Sequence, residues 1–302
     1  MGLMLVITTG LLGWLVYRQK EALLAYQWQF RPGAILLSFG VYTLTLFLAT
    51  LVWYRIITAL GNRLNFAKNF RYFCITNLGK RLPGSVWYVP WRARMYQEQG
   101  LSLQVVSIAS SIELVIMVIS GVIVSLLFAA PSLGFLNQNL IAIGAVLLLV
   151  LLALLHPTVI RRISRLFHVS TEQVQYRQIL QWVLLYSLTW VTGGSLLFCV
   201  TNIFIPLDVA HLPYVIGAWS LTGVLSMSLL LLPSNLGMTE ISLTLFLSVL
   251  MPSPVAVVVA VGMRILLLFY DIVWAGIAIW RESRDQRSPF GLIEGQKGPN
   301  NP

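Results

Sequence analysis

Long apolar stretches recur along the whole chain, and they limit the folds open to it more than any other feature. Eight runs can be separated: residues 1–17, 33–54, 103–129, 138–155, 178–205, 213–232, 236–251 and 254–280. A helix needs about 20 mostly apolar residues to cross the hydrocarbon core of a bilayer. The sequence therefore predicts an all-α, polytopic integral membrane protein with about eight transmembrane helices.

The composition leaves too little charge for a surface in contact with water. Only 10% of the 302 residues are charged, whereas a typical soluble domain has about 25%. The formal net charge is +10, but the basic residues lie between apolar runs and form no separate polar domain. We interpret them as topology signals and as contacts for anionic lipid headgroups, and we expect no nucleic-acid partner.

The distribution of Lys and Arg predicts which connections face the cytoplasm. Segments 55–71, 80–94, 156–177 and 281–302 hold four of these residues each, whereas 130–137 and 206–212 hold none. Because cytoplasmic loops are enriched in Lys and Arg, we expect a multi-pass plasma-membrane protein with both termini in the cytoplasm. The basic segment 18–32 does not fit and is interpreted as an amphipathic interfacial helix. The domain organisation is a single transmembrane domain, residues 1–280, and a short disordered cytoplasmic tail, residues 281–302.

Two apolar segments are interrupted by residues that break helices. Residues 73–91 have basic residues at both ends, which predicts a re-entrant segment, and residues 232–240 form a second break. Irregular backbone at membrane depth occurs only inside protein or beside a water-filled cavity. Each break begins with Leu-Pro and precedes an apolar helix, so we interpret the two as an internal repeat of the kind that marks a transporter's central site. The structural break residues are Pro83, Gly84, Pro233 and Gly237.

Four charged residues lie within or beside the later apolar runs: Glu113, Glu240, Arg264 and Asp271. A charge at mid-membrane costs about 2.5–3.5 kcal/mol, so each needs a partner or water. Glu113 and Arg264 have opposite charges in the middle of their helices, and we expect them to pair or to share a polar cavity. Asp271 follows Arg264 by two helical turns, which places both on one face.

Basic residues around the first break are candidates for binding a lipid headgroup. Lys80 and Arg81 lie beside the Pro-Gly turn and are suited to a lipid phosphate. Arg92 and Arg94 follow the break, and we expect Glu240 to approach one of them if the two breaks meet. The alternative for these charges is structural, because buried ion pairs can simply fix helix register.

The sequence contains no pattern that predicts a cofactor, a metal ion or catalysis. Cys74 and Cys199 are far apart in apolar surroundings, and the three His residues do not cluster. A P-loop, a nucleophile elbow and a Ser/His/Asp grouping are also absent from the sequence. Lipid movement by this chain would therefore run downhill, or be coupled to ions or to the membrane potential.

Two blocks of sequence resemble those of a known family. The run NLGKRLPG at residues 77–84, followed by Arg92 and Glu113, resembles the first conserved block of the lysylphosphatidylglycerol synthase transmembrane (flippase-like) family. Residues 232–237, followed by Glu240 and Arg264, are similar to its second block, a Pro-Gly-Gly-x-Gly-x-x-Glu pattern. The resemblance covers about residues 10–280. This chain departs from the family pattern at Ser234, Asn235 and Leu114, and at the pair Trp87-Tyr88, which replaces a more Gly-rich stretch.

The resemblance implies a membrane lipid transporter or flippase that moves a phospholipid or a polyprenyl-linked lipid across the bilayer. The partners would be membrane lipids with an anionic or polyprenyl-phosphate headgroup. Full-length synthases add a soluble aminoacyl-transferase domain, which this sequence lacks, so we expect no enzyme activity. The alternatives are an accessory subunit for a lipid-modifying enzyme or glycosyltransferase and, third, a lipid-transferring membrane enzyme. The candidate substrate-binding residues are Lys80, Arg81, Arg92, Arg94, Glu113, Glu240 and Arg264.

Overall fold

The structure is a computed structural model, and it is helical in almost every part that it describes. The described residues are 10, 17–18, 20–26, 28, 30–61, 64–81, 88–128, 142, 146, 148–150, 152–153, 156–166, 174–228 and 238–287. Ten α-helices are defined among them: α1 (Lys20–Ala25), α2 (Gly33–Ala59), α3 (Phe66–Asn77), α4 (Tyr88–Gln97), α5 (Leu103–Phe128), α6 (Pro157–Leu166), α7 (Tyr176–Phe204), α8 (Leu212–Ser228), α9 (Met238–Leu247) and α10 (Ser253–Arg287). Short 3-10 turns follow α3 at Leu78–Arg81 and precede α8 at Val209–His211.

Five helical segments in the described part of the chain are long and apolar enough to cross a membrane. They are Gly33–Ala59, Leu103–Phe128, Tyr176–Phe204, Val209–Met227 and Ser253–Arg284. Each coincides with one of the predicted runs, which confirms the all-α membrane fold and five of the eight expected crossings. Two other predicted crossings, 1–17 and 138–155, are described only at scattered positions and are not tested.

The predicted crossing at residues 236–251 is not confirmed by the described residues, which resume only at residue 238. Helix α9 has only 10 residues, and at 1.5 Å per residue it is about 15 Å long. The hydrocarbon core is about 30 Å thick, so α9 cannot cross it alone. The chain turns after Leu247 and begins α10 directly after Pro252. Ile241 and Leu245 on α9 are exposed at 45% and 64%, so part of the apolar surface of this helix is open to the surroundings of the bundle.

The long helices α2, α5, α7 and α8 pack together as the centre of the molecule. Close contact between α7 and α8 depends on small residues. A Cβ added at Gly194 would lie 2.4 Å from the Ile216 Cα atom, and one added at Gly223 would lie 2.2 Å from the Trp190 ring. Lipid tails are as apolar as helix surfaces, so helices in a membrane associate through close packing, which small residues allow. The pair α3 and α10 packs beside this bundle.

The two predicted halves contain the same order of elements. In the first, the 10-residue helix α4 is followed by residues 98–102 and then by α5; in the second, the 10-residue helix α9 is followed by residues 248–252 and then by α10. Each short helix packs against the long helix that follows it. The first connection turns at Gly100, whose φ of +80° favours glycine. This repeated order supports the internal repeat expected from the sequence.

The segment predicted to be re-entrant folds back on itself. Gly79 lies in the turn after α3, and a Cβ added there would lie 3.1 Å from the Tyr88 Cα atom and 3.2 Å from the Trp91 ring. The turn therefore packs closely against the start of α4, and only a hydrogen side chain fits without displacing its neighbours. The position of this hairpin relative to the bilayer stays a prediction, as does the cytoplasmic location of both termini. The break residues Pro83, Gly84, Pro233 and Gly237 and the tail beyond residue 287 lie outside the described residues.

Candidate functional site

A buried ion pair joins the short and long helices of the first half. The Arg92 Nη1 atom on α4 donates to the Glu113 Oε2 atom on α5 at 2.5 Å. The two side chains are 0% and 1% exposed. The other carboxylate oxygen, Oε1, accepts a hydrogen bond of 2.8 Å from the Tyr186 hydroxyl on α7. Glu113 therefore connects three helices at one point.

Aromatic rings surround the Arg92 guanidinium group. Its Cζ atom lies 4.0 Å from the centre of the Trp53 ring, 4.8 Å from that of Phe73 and 5.1 Å from that of Tyr88. Cation–π contacts of this kind strengthen when the cation is removed from water. Within the described part of the chain, the Arg92 Nε and Nη2 atoms have no hydrogen-bond partner. Among the described residues, the Arg92 side chain is thus held by its charged hydrogen bond to Glu113 and by ring faces.

A chain of hydrogen bonds connects the Trp53 ring of this cage to α3. The Trp53 indole nitrogen donates to the Tyr96 hydroxyl at 2.8 Å, and that hydroxyl donates to the Asn69 side-chain oxygen at 2.6 Å. Burial raises the pKa of the Tyr96 phenol well above its usual range, and the nearby Arg92 charge opposes this effect only in part. The phenol is therefore protonated at physiological pH, as its role as a donor to Asn69 requires.

The second half has an ion pair in the corresponding place, with the charges reversed. Glu240 lies on the short helix α9 and Arg264 on the long helix α10, and the Arg264 Nη1 atom donates to the Glu240 Oε1 atom. Glu240 is buried, but the Arg264 side chain is 36% exposed. This pair therefore has one side open to the surroundings, in contrast to the closed pair of the first half.

These contacts correct the pairing expected from the sequence. Glu113 and Arg264 do not pair with each other, because Glu113 binds Arg92 and Arg264 binds Glu240. Glu240 does not approach Arg92 or Arg94 for the same reason. In both halves the partner comes from the adjacent short helix of the same half. Hydropathy indicates that a residue lies in the middle of an apolar helix, but not the direction in which its side chain points.

A third buried acid lies on α10. The Asp271 side chain is 1% exposed. Its Oδ1 atom accepts a hydrogen bond from the Tyr42 hydroxyl on α2 and one of 2.7 Å from the Asn77 amide on α3. The carboxylate thus ties the end of α3 to the two long helices on either side. Asn77 is part of the NLGKRLPG run, which places this run directly against a buried charge.

A cavity of about 190 Å³ lies between the two groups of buried acids. Tyr186, the donor to Glu113, lines one part of it, and Tyr42 and Asn77, the donors to Asp271, line another. Thr45 and Thr189 add two hydroxyl groups to the same lining. The remaining lining is apolar. The result is an apolar cavity with a few hydrogen-bonding groups, three of which, on Tyr42, Asn77 and Tyr186, donate to the buried carboxylates.

The other predicted site residues are placed as follows. Arg94 lies on the exposed face of α4, away from the Arg92 cage. The backbones of Lys80 and Arg81 form the turn after α3, but their side chains lie outside the described residues. Binding of a lipid headgroup by any of these residues stays a prediction. Among the residues that the structure describes, no three His, Cys, Asp or Glu side chains group closely enough to hold a metal ion.

The sequence analysis did not identify three residues of the cavity: Tyr42, Asn77 and Tyr186. All three lie in or beside apolar runs, where a single tyrosine or asparagine is commonly a packing residue. Their spacing along the sequence gives no signal, because they come from three different helices. The one available indication was the position of Asn77 in the first conserved-looking block.

In integral membrane proteins, charged side chains on long apolar helices are rare, and those that occur face the interior of the bundle. Together with the five candidate spans, they define a polytopic α-helical membrane protein with a polar centre. The chain belongs to the family described as the lysylphosphatidylglycerol synthase TM region, whose sequence model matches residues 2–275. This membership relates the protein to lipid handling. No curated protein matches the chain.

Proposed function

We propose that the protein translocates a lipid across the bilayer, with the lipid headgroup passing through the central cavity. The observation that carries the proposal is the cavity itself, whose lining includes the hydrogen-bond donors to two buried carboxylates, Glu113 and Asp271. Ionisable residues inside a bundle of membrane helices are costly, and they commonly mark the path of a substrate or an ion. Family membership adds the connection to lipids.

The size of the cavity indicates a closed state. A pocket for a small ligand has a volume of about 300–1,000 Å³, whereas this cavity has about 190 Å³. At about 30 Å³ for each water molecule, it holds a handful of waters and no complete lipid headgroup. Translocation therefore requires the lining helices to separate. The acyl chains would stay in the surrounding lipid while the headgroup crosses.

The chemistry of the lining defines which headgroups suit it. Tyr42, Asn77 and Tyr186 offer hydroxyl and amide groups that can exchange their bonds to the acids for bonds to a phosphate or a sugar. The oxygen atoms of Glu113 and Asp271 that these donors release would then accept hydrogen bonds from an amine or a hydroxyl group of the headgroup. The basic residues beside the first break, Lys80 and Arg81, would attract the phosphate before it enters. Phospholipids and polyprenyl-linked lipids both fit this description.

One observation favours a second candidate, an accessory subunit that positions a lipid-modifying enzyme or glycosyltransferase. The Arg92–Glu113 pair is completely buried, and it fixes α4 to α5 in the way that a purely structural ion pair would. On this reading the polar centre holds the helices in register and no lipid enters it. The two functions make opposite predictions for a translocation assay.

The test is lipid movement in proteoliposomes. The purified chain would be reconstituted with fluorescent phosphatidylglycerol, its lysyl form or a polyprenyl-phosphate sugar, and transfer between leaflets measured against protein-free vesicles. We expect Tyr186→Phe and Asp271→Asn to slow transfer about tenfold or more. The first removes a hydrogen bond to a charged group, and the second removes the charge that strengthens two such bonds.

Matched controls change the same residue types away from the cavity. Tyr214→Phe removes a hydroxyl that donates to the Phe246 carbonyl oxygen, and Asp208→Asn changes an exposed residue that caps a turn. Both should transfer lipid at the wild-type rate. Transfer of none of the three lipids by folded wild-type protein would refute translocation and favour the accessory subunit. Equal loss in the cavity and control variants would refute the assignment of the cavity.

A further inference from the structure

A second and larger cavity lies on the other side of α3, between α2, α3 and α10. Its volume is about 900 Å³, and it shares no lining residue with the central cavity. We call it the basic groove and define it by six of its lining residues: Phe47, Phe70, Arg71, Trp274, Arg281 and Arg284. Its volume is within the range of about 300–1,000 Å³ that is usual for ligand pockets.

The basic groove has an aromatic end and a charged end. On α10 its lining residues recur three or four positions apart from Trp274 to Arg284, and so they lie on one face of the helix. At 1.5 Å per residue these two positions are about 15 Å apart along the axis. Arg281 and Arg284 lie at the far end, and Arg71 faces them from α3. No carboxylate side chain is found among the described residues that line the groove.

Aromatic rings form a continuous wall at the other end. The ring centre of Phe47 lies 6.5 Å from that of Phe70, which in turn lies 5.5 Å from that of Trp274. Phe47 is 43% exposed, so the wall is open to the surroundings of the bundle. These rings offer an apolar surface of the kind that an acyl chain would cover.

The charged end lies where the apolar part of α10 finishes. The apolar run 254–280 ends directly before Arg281, which places the arginines at the level of lipid headgroups. Trp280 is 55% exposed there, and the Arg284 guanidinium carbon lies 4.5 Å from the centre of its ring. Exposed tryptophan is typical of the interface between hydrocarbon and water. The basic groove is thus oriented with its charge towards the headgroups and its rings towards the hydrocarbon.

We propose that the basic groove binds a membrane phospholipid with an anionic headgroup. The phosphate would lie between Arg71, Arg281 and Arg284, because guanidinium groups bind phosphate oxygens in pairs with matching geometry. One acyl chain would lie along Phe47, Phe70 and Trp274. Basic pockets between transmembrane helices are general sites for such headgroups. The proposal does not rest on translocation through the central cavity, since the two sites have no residue in common.

The first test compares lipid binding by charge-matched variants. Native mass spectrometry of the detergent-solubilised protein would measure binding of phosphatidylglycerol and phosphatidylcholine. Arg281→Gln with Arg284→Gln should weaken phosphatidylglycerol binding about 30-fold, because each basic residue near the membrane surface contributes a factor of about five. The control, Arg162→Gln with Arg177→Gln, removes the same charge from exposed positions elsewhere and should weaken binding far less. Equal weakening in both variants would overturn the proposal, since it would show an effect of overall charge.

A second measurement uses the wild-type protein and does not depend on a variant that folds. Phosphatidylglycerol with a photoactivatable group on its acyl chain would be cross-linked, and the labelled peptides identified. We expect labels near Phe47, Phe70 and Trp274. Glycerol phosphate in large excess should not reduce the labelling, because it cannot contact the aromatic wall. Absence of labels at these positions, no preference over phosphatidylcholine, or displacement by the soluble phosphate would each overturn a lipid site here.

Discussion

Removing one partner of the Arg92–Glu113 pair should destabilise the protein far more than removing both. The change Glu113→Gln leaves the Arg92 guanidinium group without its counter-charge, inside a cage of aromatic rings where it is 0% exposed. Breaking a buried pair in this way costs about 3–5 kcal/mol. The change Arg92→Met strands the carboxylate instead, although Glu113 keeps its hydrogen bond from Tyr186 at 2.8 Å. Arg92→Met should therefore be the milder of the two.

The double variant carries neither charge. Gln at position 113 can still accept the hydrogen bond from Tyr186, and Met fills much of the volume of the Arg92 side chain among the rings. Replacing a buried pair by groups of similar volume is often neutral or stabilising. We expect the double variant to be at least as stable as the more damaged single variant, which gives a coupling energy of about 3 kcal/mol or more.

The assay is a double-mutant cycle on the free energy of unfolding in mixed detergent micelles. Independent sites add to within about 0.3–0.5 kcal/mol, so the expected coupling is far outside that error. A control cycle uses Glu21→Gln and Arg162→Met, which are exposed and lie in different helices, and it should be additive. Additive losses at Arg92 and Glu113 would refute the reasoning, because they would mean that the two charges do not stabilise each other across α4 and α5.

Two further predictions concern packing and the second ion pair. Gly194→Ala should destabilise the protein by about 1–3 kcal/mol in a thermal unfolding assay, since the new Cβ would lie 2.4 Å from the Ile216 Cα atom. The control Gly40→Ala has no neighbour within 4 Å and should be neutral or stabilising in the same assay. Equal effects of the two changes would contradict the close helix contact. Arg264→Gln should destabilise the protein more than Glu240→Gln does, because it leaves the buried Glu240 carboxylate without its partner. In Glu240→Gln the Arg264 side chain, which is 36% exposed, can reach water instead. The reverse order in denaturant unfolding would contradict the observed exposure.

The crossings that were predicted correctly share a simple physical cause. Helices α2, α5, α7, α8 and α10 are each long enough to satisfy their own backbone hydrogen bonds across the membrane, and their apolar side chains are visible in the sequence. The same signal predicted a crossing at α9 that the described residues do not confirm. This helix packs against α8 and α10 but leaves Ile241 and Leu245 exposed. Hydropathy reports that a side chain avoids water, but not whether lipid or protein replaces the water.

The ion pairs and the cavity could be predicted only in part. The sequence indicated that Glu113, Glu240 and Arg264 need partners, because a lone charge at that depth is costly. It did not indicate which partners, since that choice depends on the rotation of each helix about its axis. The donors Tyr42 and Tyr186 could not be predicted for a related reason. A tyrosine in an apolar run has the same sequence pattern whether its hydroxyl donates to a buried acid or to a backbone carbonyl.

The arrangement of the two ion pairs bears on how the molecule can move. Arg92 lies on a short helix and pairs with Glu113 on the next long helix, whereas Glu240 lies on a short helix and pairs with Arg264 on the next long helix. Each pair therefore fastens a short helix to its own half, and neither fastens one half to the other. Transporters built from repeats move largely by rocking one unit against another around a central site. Such a motion here would leave both ion pairs intact and would change instead the contacts around the cavity, where neutral donors meet Glu113 and Asp271. Hydrogen bonds from tyrosine and asparagine are weaker than buried ion pairs and can be exchanged for bonds to a headgroup, so the contacts that must break are the ones that break at the lowest cost.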